Sequence, residues 1–255
     1  MHLLQRKPGG KLALSTFTGK DVSVPAYAIL SHTWAIDNSE EVTFQDIEAG
    51  MGSSKAGYRK IQFCLDQAEV DGIRYCWIDT CCIDKKNAVE LSEAINSMFR
   101  WYQKAARCYV FLSDVTACNE GGNSQQSGIV WEAAFRRSRW FTRGWTLQEL
   151  IAPTFVDFFS NEGERLGNKM TLETIVYDIT GIAKSALTGN SLSDFSVSER
   201  MSWAEQRNTK QEEDEVYSLL GIFDVSMPLI YGEGKERALR RLNEEIIKSY
   251  QGRWF

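Results

Sequence analysis

The sequence predicts an α/β fold: a parallel sheet with helices on both faces, followed by a layer of helices. Three observations predict it. Short apolar runs of β type alternate with helix-periodic segments from residue 27 onward, the joints between them are short, and after Ser160 amphipathic helical stretches take over. With 255 residues, 43% of them hydrophobic, the chain can bury a sizeable core, so one large domain, or one domain with an appendage, is expected.

Taken in order, the chain opens with a short strand or hairpin. "YAILSHTW" then reads as a buried strand whose C-terminal end breaks at Ser31 and His32. In the next segment Tyr58, Ile61, Cys64, Leu65 and Ala68 recur at three and four, the spacing of a helix with one face on a sheet, and Gly72 caps it. "RYCWIDTCCIDKK" supplies a second strand at 75–78, closed by Asp79 and a loop through Asp84. Leu91, Ala94, Ile95, Met98, Tyr102 and Ala105 mark a second helix, and "RCYVFLSDV" a third strand. A Gly-, Ser- and Asn-rich excursion at 117–128 precedes a helix that stops before Pro153 and a fourth strand at 155–159. Beyond it "MTLETIVYDITGI", "SVSERMSWAEQ", "EEDEVYSLLGIF" and "GKERALRRLNEEIIKSY" predict four helices. The expected division is an α/β core over 1–160 and a helical part over 161–255.

Composition removes several functions. A net charge of −5 with Lys and Arg scattered among acids lacks the basic stripe of a nucleic-acid binder. No apolar run approaches the ~20 residues that span a bilayer, and no secretory signal opens the chain, so a cytosolic protein is expected. The six cysteines fit reduced, buried thiols; two histidines and no C-x-x-C pair argue against zinc, and no cofactor is expected. "YGEGKERALRRL" lacks the spacing of a phosphate loop and reads as a turn and helix start. The acidic run at 212–215 reads as a first helical turn.

In a wound parallel sheet ligands bind at the carboxyl ends of strands, which here carry Ser31, His32 and the 79–84 loop. Ser31 and His32 can orient a ligand and Trp34 can stack on a ring; Asp79 and Asp84 can pair or cap their turn. Adjacent Ser and His diverge on a strand, so Ser31, His32 and Asp79 do not form a hydrolytic triad. Cys81 and Cys82 have no histidine beside them and read as packing residues. In "RGWTLQEL" Trp145 and Leu147 anchor the segment, Gln148 faces out, and Glu149 is either a carboxylate set beside an electron-poor sugar carbon or a charge complementing a helix dipole.

Together "YAILSHTW", "YCWIDTCCIDK", "RGWTLQEL", "EDEVYSLLGIF" and "YGEGKERA" resemble the ordered blocks of the fungal heterokaryon incompatibility (HET) domain, from about residue 3 to 248. The chain departs from the pattern at Asp84-Lys85, where many relatives carry Asn or Asp followed by Gln. The resemblance implies an effector of programmed cell death in non-self recognition, often N-terminal to a NACHT module and repeats in one longer chain. "YAILSHTW", "DGIRYCWID" and "SRWFTRGWTLQEL" are distantly similar to blocks of Toll/interleukin-receptor-like (TIR) domains, which implies a TIR-like, flavodoxin-like sheet. In TIR enzymes the glutamate of the last block cleaves the nicotinamide–ribose bond of NAD+. By position that residue is Glu149, with Ser31, His32, Trp34, Asp79, Asp84 and Trp145 as substrate-binding residues and self-association completing the site. The alternative is a non-enzymatic adaptor of the same fold that recruits partners by induced assembly.

Overall fold

Strand β1 (His2–Arg6) turns back through Gly9 and Gly10, both at positive φ, into β2 (Leu12–Thr16), giving the expected hairpin. The structure, a computed structural model, describes residues 1–17, 23–117 and 127–251; most of the Gly- and Ser-rich excursion lies outside them. Strands β3 (Tyr27–His32), β4 (Tyr75–Trp77), β5 (Arg107–Phe111), β6 (Val156–Phe159) and β7 (Arg165–Asn168) complete one sheet in the order β2-β1-β4-β3-β5-β6-β7. The inner strands β4, β3, β5 and β6 are parallel, while β1 joins β4 and β7 joins β6 antiparallel. Counting only the parallel strands, their order is 2-1-3-4. That is the flavodoxin-like winding, compatible with a TIR-like fold, and its switch point lies between β3 and β5.

Helices α1 (Phe44–Glu48), α2 (Tyr58–Val70), α3 (Ala88–Lys104), α4 (Ser127–Arg136) and α5 (Thr146–Ile151) belong to this wound unit. The short α1 was not legible as a period, yet its start carries a capping box between Thr43 and Asp46. Helix α2 buries Ile61, Cys64, Leu65 and Ala68 and ends at Gly72, whose φ of 71° a side chain would resist. It covers one face of the sheet, where Cys76 Sγ meets the Cys64 carbonyl at 3.7 Å. The opposite face holds α3 and α5: Tyr27 donates to the Trp101 carbonyl at 2.6 Å and Cys108 Sγ lies 3.8 Å from the Glu149 carbonyl. Alternation along β3 therefore sends Ser31 toward α5 and His32 toward α2.

The sheet continues past residue 160, because β7 returns against β6 before the helical layer begins. That layer contains α6 (Glu173–Thr180), α7 (Lys184–Leu187), α8 (Val197–Ser202), α9 (Asp214–Tyr217), α10 (Leu220–Phe223) and α11 (Lys235–Gln251), six helices among the described residues where four were expected. Besides the additional α7, "EEDEVYSLLGIF" is two helices: the run breaks at Ser218 and Leu219 where Gly221 is drawn against α3. A Cβ on Gly221 would meet the Phe99 Cβ at 2.1 Å. Gly221→Ala is accordingly expected to destabilise the chain by about 1–3 kcal/mol, seen as a lower urea midpoint; an unchanged midpoint would mean that the layer is not held there.

The acidic run proves to be more than a first turn. Glu213 is buried, and its Oε1 accepts from the backbone N–H groups of Gly232 at 2.8 Å and Gly234 at 3.1 Å. The glycine loop of "YGEG" thus cradles an internal carboxylate, and the residue's own backbone N–H, with those of Gly234 and Gly232, holds Glu213 below the usual carboxylate range.

Candidate functional site

Glu149 sits in the short helix α5, whose six residues are all buried, Gln148 included. The expectation that Gln148 faces out is corrected: α5 is enclosed between the sheet and the helical layer and has no solvent side. Glu149 is 6% exposed. Its Oε2 accepts the hydroxyl of Ser31 from the carboxyl end of β3, and Ser31 Oγ in turn accepts the indole N–H of Trp140 at 2.8 Å. Tyr102 on α3, whose hydroxyl donates to the Leu30 carbonyl at 3.1 Å, also stands within reach of the carboxyl.

This setting decides the charge of the group. Burial pushes the Glu149 carboxyl up to about 8, with Asp79 adding to the rise, while Ser31, Tyr102 and the nearby Arg143 pull the other way without overcoming it. At neutral pH the sealed carboxyl is largely protonated. Trp140 is itself fully buried against Phe141 and Phe158, so Trp140→Phe removes the donor together with part of the ring packing. A loss of about 2–4 kcal/mol in denaturant unfolding is expected, and no loss would show the Ser31 bond to be energetically idle.

A second group of residues lies across the strand. His32 is buried on the α2 side; its Nε2 has no hydrogen-bond partner among the described residues and stands 3.9 Å from Asp79 Oδ1. Burial, reinforced by Lys60, holds the imidazole well below its ordinary value, so it is neutral. Asp79 accepts the indole N–H of Trp34 at 2.8 Å, and Lys85 Nζ lies 3.8 Å over the Trp34 ring. One face of that ring is therefore covered by a cation.

The structure brings Ser31 and Glu149 into contact and sets His32, Trp34 and Asp79 as a neighbouring cluster. Asp84 turns elsewhere, accepting from Gln45 Nε2 at 2.7 Å and from the Lys86 N–H at 3.0 Å. Trp145 packs half-buried and its indole meets Asp214. Tyr102 as a partner of the carboxyl and Trp140 as the donor to Ser31 were missed. Trp140 stands in the same quoted block as Glu149, and Tyr102 is the polar-tipped residue on the apolar stripe of α3, so an aromatic hydroxyl or indole facing a strand end was the available signal.

Cys64 and Cys108 are raised by burial and Cys81 by its hydrogen bond with the Cys82 thiol and by burial, which leaves them thiols and poor nucleophiles. Among the described residues no group of three or more His, Cys, Asp or Glu could hold a metal ion, and no helix is long and apolar enough to cross a membrane. One cavity of about 390 Å³ is bordered by Phe141, Trp203 and Arg207, and another of about 890 Å³ separates α3 and α5 from the helical layer. Neither is lined by Glu149, Ser31, His32, Trp34 or Asp79.

The wound parallel sheet closed by a helical layer carries a sequence similar to the heterokaryon incompatibility family: residues 27–132 match the model described as Heterokaryon incompatibility protein (HET). Over 251 residues it is 55% identical to Vegetative incompatibility protein HET-E-1 of Podospora anserina. That alignment takes in 97% of this chain and 18% of the relative, so the chain spans under a fifth of the curated relative's length. No solved structure gives a significant match.

Proposed function

We propose that the chain is a cell-death effector in fungal heterokaryon incompatibility and that it acts by hydrolysing NAD+ in an assembled state. The observation that carries this reading is the Glu149 carboxyl held by Ser31 at the carboxyl end of β3, beside the switch point of the sheet. In the proposed reaction the bond between ribose C1′ and the nicotinamide nitrogen breaks, its electron pair leaves with nicotinamide, and ionised Glu149 stabilises the ribosyl cation. Water then adds at C1′ and releases a proton, giving ADP-ribose, nicotinamide and H+.

The sealed monomer supports a switch. A carboxyl raised to about 8 by burial is a poor partner for a cation, whereas one opened to solvent returns toward its ordinary value of 4.5 and ionises. Self-association that opens α5 would therefore create both the access and the charge. In this reading Ser31 fixes one oxygen of Glu149, and His32, Trp34 and Asp79 border the ribose and base once Lys85 moves off the indole. The setting is the cytosol, and the length of HET-E-1 supports a receptor module such as NACHT and repeats in the same longer chain.

The burial of Glu149 away from both cavities supports a second reading, an adaptor that recruits a downstream killer through induced assembly. The two part in one experiment: concentrated, assembled protein is incubated with NAD+ and nicotinamide is followed by chromatography. Release is expected. Its absence from a folded, assembled sample sinks the enzyme and leaves the adaptor.

A further inference from the structure

Among the described residues the larger cavity, about 890 Å³, is lined by three cationic side chains, Lys169, Arg200 and Arg100, against the single carboxylate of Asp224. Two of the three cations are buried: Lys169 is 3% exposed and Arg200 4%. Neither forms an ion pair among the described residues. Lys169 Nζ donates to the Pro153 carbonyl at 2.6 Å and the Leu150 carbonyl at 3.3 Å, at the C-terminal end of α5. Arg200 donates to the Ile222 carbonyl at 3.0 Å and the Tyr250 hydroxyl at 2.6 Å, and its buried Nε has no partner among the described residues.

A buried cation without a counter-ion is expensive, and carbonyl dipoles compensate only part of its charge. Holding Arg200 and Lys169 on the wall of one cavity without a counter-ion is an arrangement that a bound anion completes. We propose that this cavity is a binding site for a small phosphorylated molecule, its phosphoryl group held by Arg200 and Lys169 and its approach favoured by Arg100 on the rim.

The charge matches: three cations and one carboxylate leave a formal excess of two, which a dianionic phosphoryl group neutralises. The volume exceeds what inorganic phosphate needs and lies in the range of ordinary metabolite pockets, which run to about 1,000 Å³. The ring of Phe223, 4.6 Å beneath the Arg200 guanidinium, fixes the fork and supplies apolar wall for the rest of the ligand. Burial lowers Lys169 to about 8, and an anion beside it would raise it again, so occupation is accompanied by proton uptake near that pH. Because Lys169 also holds the carbonyl of Leu150, next in sequence to Glu149, a ligand that draws on Lys169 acts on the end of α5. The site stands on its own geometry, whether or not NAD+ is cleaved.

The test uses the 255-residue chain and inorganic pyrophosphate as probe, by isothermal titration calorimetry at constant ionic strength and physiological chloride. Saturable binding at one site is expected, weakened about tenfold or more in Arg200→Gln and by a few fold in Arg100→Ala, since hydrogen bonds to charged groups are worth about 1.5–3 kcal/mol. Arg200 also ties α8 to α10 and α11, so circular dichroism checks that its variant folds. If it does not, the exposed Arg100→Ala decides alone. No saturable heat at millimolar pyrophosphate, or equal affinity in the wild type and every folded variant, overturns the proposal.

Discussion

Glu149→Gln is expected to lower nicotinamide release from NAD+ by a factor of about 10²–10³ while leaving the chain folded. The amide keeps the size of the carboxyl and can still meet the Ser31 hydroxyl, so burial and packing around α5 are preserved. What it lacks is the ability to become an anion when the site opens. The comparison is informative because the sealed carboxyl of the monomer is already largely neutral; substitution removes the assembled state's charge and little of the monomer's energetics. Equal release by the variant and the wild type, both assembled, would remove Glu149 from the chemistry.

The same substitution is expected to change how stability depends on pH. A carboxyl raised from 4.5 to about 8 binds its proton more tightly in the folded than in the unfolded chain. Its favourable contribution is complete below 4.5 and declines as pH rises through the folded value near 8, where an ionised carboxylate has to be buried. The decline amounts to on the order of 5 kcal/mol. Glu149→Gln has no such slope, so urea midpoints of the two proteins should converge at low pH and separate toward pH 8 and above, with the variant the more stable. Lys169, depressed to about 8 by burial, contributes in the opposite direction only as pH rises from 8 toward 10.5, and it cancels in the difference between the two proteins. Parallel pH profiles would mean that Glu149 is ionised in the fold.

Both predictions depend on a residue whose importance was only half legible in the sequence. The α/β winding was readable because apolar runs such as "YAILSHTW" and the stripe of Ala94, Ile95, Met98 and Tyr102 carry their period in plain view. The helical layer was harder. Its helices are short and take their ends from tertiary contacts, as where Gly221 against Phe99 splits one apparent helix into α9 and α10. The strand β7 was invisible because "RLGN" has neither alternation nor β-branched residues. At the site, strand order together with the family resemblance predicted the nearness of Ser31 and Glu149 to one sheet end. The direction of each side chain was another matter: pleating separated His32 from Ser31, and a loop turned Asp84 toward Gln45. Gln148 was misplaced for a related reason, since a helix enclosed on all sides has no period to read.

The placement of the two antiparallel outer strands governs how this domain can meet others of its kind. The parallel strands that carry the site are flanked on one side by the β1–β2 hairpin and on the other by β7, so an incoming strand could pair only with β2 or β7. Strand β7 has four residues and its pairing with β6 slips register at Phe158 and Phe159, while β2 has only five residues. Short and irregular borders are poor templates for backbone pairing between molecules. An ordered association of native copies would therefore fall to helices and loops, and growth by strand addition would first require one of these borders to unfold.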